Sequence, residues 1–290
     1  MKRISHILRL LRPRQWVKSS FVLIGVLFAR AWHEQTTVRH VLAATVAFSL
    51  VASSIYVLND LTDRAQDAAH PRKRYRPLAA GTVSVHAAVT LLGALLTVGC
   101  ALGYIAAPKV LLILLAYVGL NLCYSLGLKH VVLLDVFIIA AGFMLRILAG
   151  TTGIGIVPSQ WLLLCGLMLS LFLGFAKRRA ELYAVSGGST NRRKVLAHYQ
   201  PVLLDKMIVV TATCVILTYS LYTMSEQTIR THRTESLIYT VPFVMYGIFR
   251  YIYLLHQQQA GSDPAQEIFR DAHLLLTIIC WLLLTLWLIA

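Results

Sequence analysis

Asn59, Asp63 and Asp67 stand four residues apart in the stretch Asn59-Asp60-Leu61-Thr62-Asp63-Arg64-Ala65-Gln66-Asp67. On a helix this spacing stacks the three side chains along one face. Three oxygen-bearing side chains in a row suit a hard cation such as Mg²⁺. That ion takes one or two protein carboxylates and fills its remaining positions with waters and substrate phosphates. A basic run follows, Arg72-Lys73-Arg74-Tyr75-Arg76-Pro77, and offers those phosphates positive charge. An acidic row beside a basic row reads as a site for a diphosphate and Mg²⁺. A blander reading stays open. Asp63 and Asp67 can pair with Arg64 and Arg72 on a solvated helix face, and the basic run can be ordinary charge at a membrane edge. Asp60 points off the Asn59 face and is the weaker member.

The elements that must position these residues are membrane helices. The chain has 290 residues, of which 58% are hydrophobic and 13% charged, and its mean hydropathy is +0.69. Soluble domains carry about 25% charged residues. A spanning helix needs about 20 mostly apolar residues. Such runs recur from end to end and predict an all-α polytopic protein with nine spans, near 16–30, 37–58, 84–106, 110–128, 131–149, 159–176, 203–224, 236–256 and 272–290. The runs are continuous, unlike the alternating strands of an outer-membrane barrel. No soluble domain of useful size fits between them, so residues 1–290 read as one domain. Residues 1–12 alternate basic positions with Ile4, Ile7, Leu8 and Leu11, as an amphipathic helix lying on the membrane does. Nothing there reads as a cleavable signal.

The net charge of +15 invites a nucleic-acid reading, but its distribution argues for topology. With the N-terminus in the cytoplasm, inside segments hold 21 of the 27 Lys and Arg and outside segments hold five. That bias is the positive-inside rule. We therefore expect no nucleic-acid partner. The expected location is the bacterial cytoplasmic membrane, with the site facing the cytoplasm. The five cysteines all fall in predicted spans without a CxxC pair, so they read as small buried hydrophobes. The histidines form no metal-binding grouping, and no phosphate-binding Gly-rich loop occurs.

The other unusual polar residues also fall at predicted cytoplasmic span ends. Span four ends in Tyr124-Ser125-Leu126-Gly127-Leu128-Lys129, with Asp135 just inside span five. Span six ends in Lys177-Arg178-Arg179-Ala180-Glu181, and span eight leads to Asp263-Pro264, Glu267, Arg270 and Asp271. One polar chamber open to the cytoplasm accounts for the pattern. Asp135 also fits a helix-start residue interacting with the dipole, and Lys177 to Arg179 a stop-transfer triplet. Arg146 falls about ten residues into an apolar run, where an ionised side chain is costly and faces a cavity or a partner. Both a structural partner and a substrate contact remain open for it. Lys18 lies just inside span one.

These motifs resemble the UbiA superfamily of intramembrane prenyltransferases. The resemblance implies nine helices around a cytoplasm-facing cavity, and two Asp-rich motifs that hold a diphosphate through Mg²⁺. Asn59-x-x-x-Asp63-x-x-x-Asp67 matches the first motif. At the second, Asp135 is followed at helical spacing by Ile139 and Phe143, so a single carboxylate remains. That departure argues against the branch that prenylates aromatic rings. The stretches Leu11-Arg12-Pro13-Arg14-Gln15-Trp16-Val17-Lys18, Asn59 to Gly81, Tyr124 to Lys129, Asp135 to Arg146, Ala176 to Glu181 and Asp263 to Asp271 are together similar to the decaprenyl-phosphate phosphoribosyltransferase branch.

That resemblance implies phosphoribosyl pyrophosphate as donor, a polyprenyl phosphate lipid as acceptor and Mg²⁺ as cofactor. In bacteria of the mycobacterial group the product feeds arabinan synthesis for the cell wall. On this view Asn59, Asp63 and Asp67 hold the metal against the diphosphate, with Arg72, Lys73 and Arg76 beside it. Asp135 serves a second metal or the ribose hydroxyls. Lys177 and Arg178, with Lys129 or Tyr124, meet the donor's 5-phosphate. Arg14, Lys18 and Arg146 draw in the lipid phosphate. Two rivals remain: transfer of a polyprenyl group from its diphosphate to an aromatic acceptor, and a membrane transporter or lipid-binding protein without catalysis.

Overall fold

The computed structural model describes residues 2–69, 73–186, 194–257 and 271–289, and every regular element among them is helical. The α-helices run α1 Lys2–Leu11, α2 Ile24–Phe28, α3 Gln35–Thr62, α4 Arg64–Ala69, α5 Val85–Ala106, α6 Pro108–Leu126, α7 Leu134–Ala149, α8 Gln160–Ser186, α9 Pro201–Met224, α10 Glu226–His232, α11 Val241–Gln257 and α12 Ala272–Ile289. Eight segments of the described chain are long and apolar enough to cross a membrane, from Gln35–Thr62 to Ala272–Ile289. They coincide with the second to ninth expected spans. Arg72, Asp263, Pro264, Glu267 and Arg270 lie outside the described residues.

The expected first span takes another form. Residues Pro13–Leu23 are a 3₁₀ helix, α2 adds five residues, and the chain then turns. Pro13 starts the run without an N–H to donate, and the Ser20 hydroxyl bonds the Val17 carbonyl at 2.7 Å. Its far end is pressed against another backbone. A Cβ on Gly150 would meet the Val22 carbonyl oxygen at 1.7 Å, and one on Gly25 would meet the Gly150 oxygen at 2.1 Å. Only glycine at both positions permits that approach. A 3₁₀ turn rises about 2.0 Å per residue and an α-helix about 1.5 Å. Residues 13–28 therefore extend about 30 Å, close to the thickness of a bilayer core.

Two compact units make up the chain. The first holds residues 1–126 and 145–157. Its core is the inward face of α3, with Val41, Ala44, Phe48, Val51 and Ile55 packed on Val22, Val110, Leu114 and Tyr117. A Cβ on Gly99 of α5 would meet Val51 at 2.7 Å and the Ala47 oxygen at 3.2 Å, the small-residue contact that lets membrane helices pack closely. The hydroxyls of Thr45, Ser49 and Ser53 bond carbonyls one turn back, so α3 buries them at no cost in unmet polar groups. Leu10 of α1 is fully buried with Val57, Leu78 and Leu95, while Ile7 and Leu8 stay exposed. The expected interfacial helix is thus docked at one end and apolar on its open side.

The second unit holds residues 127–144 and 158–290. Phe172, Phe175, Leu204, Ile208, Val215, Tyr251 and Leu274 fill its core. Its helices begin on recognisable signals: Pro201 in the first turn of α9, and the Asp271 carboxylate accepting the Leu274 N–H at 2.8 Å before α12. Both are favoured N-terminal devices. Large apolar side chains such as Leu112, Leu115, Leu217 and Leu283 remain exposed, as a lipid-facing surface requires.

Candidate active site

In the first unit the Asn59 row survives a helix break. α3 ends at Thr62 and α4 begins at Arg64. The Asp63 N–H nevertheless donates to the Asn59 carbonyl at 2.9 Å, and the Asp67 N–H to the Asp63 carbonyl at 2.8 Å. The helical register therefore runs through the junction, and the three side chains keep the one-face spacing their sequence predicts. Asn59 Oδ1 accepts the Ser125 hydroxyl at 2.9 Å, which brings the end of α6, with Tyr124, to the row.

Asp60 is the surprise. It is 3% exposed, with Arg12 Nη2 at 2.6 Å and Arg76 Nη1 at 3.0 Å from Oδ1. Arg76 Nη1 also lies 2.6 Å from Asp67 Oδ2, and Lys73 Nζ is 3.7 Å from Asp67 Oδ1. Arg12, Asp60, Arg76, Asp67 and Lys73 thus alternate in sign along one continuous chain. The Arg12 guanidinium also lies over the Tyr56 ring, 5.1 Å from its centroid. Beside it, Ser53 bonds the Leu11 carbonyl at 2.8 Å and takes the Trp16 indole N–H at 2.9 Å. Ser53, Tyr56 and Asp60 line one face of α3 and anchor the Leu11–Trp16 junction. A sequence signal existed in the Leu-Arg-Pro-Arg-Gln-Trp stretch, but nothing local pairs it with a residue 48 positions away.

Among the described residues no group of three or more His, Cys, Asp and Glu is arranged to hold a metal. The Asn59 row offers two carboxylates and one amide oxygen. This is an all-oxygen donor set that fits Mg²⁺ when substrate phosphates complete its shell, and Arg76 and Lys73 beside Asp67 suit those phosphates. Arg14 is exposed and Lys18 half-buried on the 3₁₀ run. Arg146 is 5% exposed. Its guanidinium lies 4.9 Å from the Phe48 ring centroid and 4.8 Å from that of Tyr117, and Nη2 donates to the Tyr117 hydroxyl at 3.0 Å. Of the two readings left open, the structure supplies an aromatic partner in the same unit, and such contacts gain strength where water is excluded.

The second unit gathers the remaining candidates. Asp135 is fully buried near the start of α7 and Arg178 is 1% exposed near the end of α8. Arg178 Nε lies 2.6 Å from Asp135 Oδ2, and Nη1 is 2.5 Å from Glu181 Oε2. Close helix approach makes the pair possible: a Cβ on Gly174, one turn before Arg178, would meet Val136 at 2.6 Å. Tyr199, unforeseen in the sequence, donates to Asp135 Oδ1 at 2.7 Å and accepts the Leu133 N–H at 2.8 Å. Burial, and then the hydrogen bond to Asp135, push the Tyr199 phenol well above its ordinary range. It stays a proton donor across the neutral range. Lys129 and Lys177 are half-buried, one in the 3₁₀ turn Leu128–His130 and the other beside Arg178. Arg179 instead ties helices: it pairs with Asp205 of α9 and donates to the Leu255 carbonyl near the end of α11 at 2.8 Å. Arg250 and Asp271 form a two-pronged pair between α11 and the start of α12, at 3.1 and 2.7 Å.

Fold and site together define a polytopic, all-helical membrane protein with acidic and basic side chains gathered where its helices end. Residues 19–272 match the UbiA prenyltransferase family, and the chain belongs to that family. It is 34% identical to the decaprenyl-phosphate phosphoribosyltransferase of Corynebacterium glutamicum, over 94% of this chain and 83% of that protein. It is 32% identical to the Mycolicibacterium smegmatis protein of the same name, over 96% of this chain and 91% of that one. A UbiA homolog from Archaeoglobus fulgidus, solved with GPP and Mg²⁺ bound, shares the fold with a TM-score of 0.74 at 18% identity, covering 98% of both chains.

Proposed function

We propose that the protein is an enzyme of the cytoplasmic membrane of a bacterium. It transfers the 5-phosphoribosyl group from phosphoribosyl pyrophosphate to a polyprenyl phosphate, with Mg²⁺, and releases pyrophosphate. The observation that carries this reading is similarity along almost the whole chain to relatives named for that transfer. The lone Asp135, engaged by Arg178 rather than by a second carboxylate, also favours this branch over the aromatic one.

The chemistry follows from charge. The lipid phosphate is already an anion near neutral pH, so its oxygen attacks C1 of the ribose without a general base. The bond from C1 to the diphosphate breaks, and negative charge develops on the leaving group. Asn59, Asp63 and Asp67 would hold the divalent ion, which supplies positive charge to that group when bound. Arg76 and Lys73, with Arg72, orient the diphosphate and stabilise it as it departs. Lys129 and Lys177 serve the 5-phosphate. Arg14 and Lys18 draw in the lipid phosphate and offset repulsion between two phosphorylated substrates. Arg146, packed against the Phe48 and Tyr117 rings, adds fixed positive charge to the first unit. The N-terminus and the site face the cytoplasm, and residues 13–28 make a ninth crossing.

The test is direct. Purified protein is incubated with Mg²⁺, a polyprenyl phosphate and labelled phosphoribosyl pyrophosphate, and the organic phase is counted. Labelled lipid that vanishes with EDTA is the expected result. Absence of label, with product formed from a prenyl diphosphate and an aromatic acid, would move the protein to the aromatic branch. Absence of both, with lipid or substrate crossing the membrane, would make it a transporter.

A further inference from the structure

Tyr199 is a buried polar side chain bonded to the start of α7, between the Lys129 turn and Asp135. It sits between the 3₁₀ turn Lys194–His198 and α9, and 4% of its surface is exposed. Its hydroxyl closes a three-part link. It accepts the N–H of Leu133 and donates to Asp135, and the other oxygen of Asp135 meets Arg178. Leu133 has φ 67, a left-handed conformation that a residue with a Cβ adopts only under outside constraint. The Tyr199 hydroxyl supplies part of that constraint at the point where the Lys129 turn enters α7. At the other end of the link, Arg178 is gripped from both sides by Asp135 and Glu181, one residue after Lys177. Asp135 is fully buried, with Oδ1 taking the Tyr199 hydroxyl and Oδ2 in ion-pair contact with Arg178.

We propose that Tyr199 is a positioning residue for the donor substrate: its hydroxyl locks Leu133 and Asp135 together, and Asp135 in turn locks Arg178, so that Lys129 and Lys177 stay in place for the 5-phosphate. This rests on the proposed phosphoribosyl transfer. It adds a residue that does not touch substrate, and it makes Asp135 a partner of an internal cation instead of a second metal.

Tyr199→Phe removes the hydroxyl and keeps the ring. The expected result is a rise of about tenfold in KM for phosphoribosyl pyrophosphate, the effect of one lost buried hydrogen bond. The KM for polyprenyl phosphate and the Mg²⁺ concentration for half-maximal rate should stay unchanged. Equilibrium binding of phosphoribosyl pyrophosphate to the detergent-purified protein should weaken in parallel. Asp135→Asn keeps an acceptor for Tyr199 and loosens Arg178, and should give the same donor-selective change. It decides the matter if Tyr199→Phe does not fold. Equal loss of affinity for both substrates, or no loss, would overturn the proposal by leaving Tyr199 a packing residue. A shifted Mg²⁺ requirement in Asp135→Asn would overturn it by making Asp135 a metal ligand. Wild-type protein that neither binds nor uses phosphoribosyl pyrophosphate would instead overturn the functional reading on which the proposal depends.

Discussion

At the scale of single residues, the Asn59–Asp63–Asp67 row was legible because a spacing of four is a property of the helix itself. Asp63→Ala should lower phosphoribosyl transfer by at least about a hundredfold, the effect expected when a group that stabilises transition-state charge is lost. Residual activity, assayed as labelled lipid, should have lost its dependence on Mg²⁺. An enzyme that kept both turnover and that dependence would remove the row from the metal site. The partners of these carboxylates were not legible. Asp60 looked like a bystander because its pairing with Arg12 depends on where α1 docks. Arg76→Ala should leave two buried carboxylates without their shared cation and cost about 2–3 kcal/mol, a figure reduced for the partial exposure of Arg76. Thermal unfolding in detergent measures it. Adding Asp67→Asn should recover part of the loss, since it removes the carboxylate left with the more distant Lys73, while Asp60 keeps Arg12.

At the scale of elements, apolar run length predicted nine crossing helices, and eight apolar helices long enough to cross lie at the second to ninth of these places, the sixth running on to Tyr183. The first span departed from expectation because run length does not report backbone type. Pro13 and the close passage of Gly25 against Gly150 decide how that segment winds. A similar close passage joins α7 to α8. Gly174→Leu should force those helices apart at Val136, separate Asp135 from Arg178, and lower both the unfolding temperature and donor affinity. Overpacking of this kind costs about 1–3 kcal/mol, measured by the same melting assay. The pair between α11 and α12 makes a prediction with pH. The hydrogen bond from Arg250, above all, holds the Asp271 carboxyl below its ordinary value. Its stabilisation is therefore present above pH about 4 and disappears as pH falls through the lower folded value. Asp271→Asn keeps an oxygen to cap α12 but loses the charge paired with Arg250, and should cost about 1 kcal/mol at neutral pH. The difference from wild type in melting temperature should shrink as the pH falls below about 4.

At the scale of the whole molecule, charge counting reaches furthest, because insertion reads Lys and Arg near span ends wherever the folded helices finally lie. In a cysteine-free background, Arg9→Cys and Arg74→Cys should react with a membrane-impermeant thiol reagent only from the cytoplasmic face, and Arg230→Cys only from the opposite face. Labelling of Arg9→Cys from outside would reverse the orientation. The sequence by itself determined that this is a polytopic helical membrane protein, which carboxylates form its acidic row, and which family it resembles. Those properties reside in hydropathy, in charge near span ends and in spacings of four, all of which are local along the chain. Only the tertiary structure decided that Arg12 and Arg76 share Asp60, that Arg146 packs against the Phe48 and Tyr117 rings, and that Tyr199 and Arg178 divide the two oxygens of Asp135. Each of those contacts joins residues far apart in the chain. Burial makes each one obligatory, since a charge withdrawn from water must find its partner within the fold.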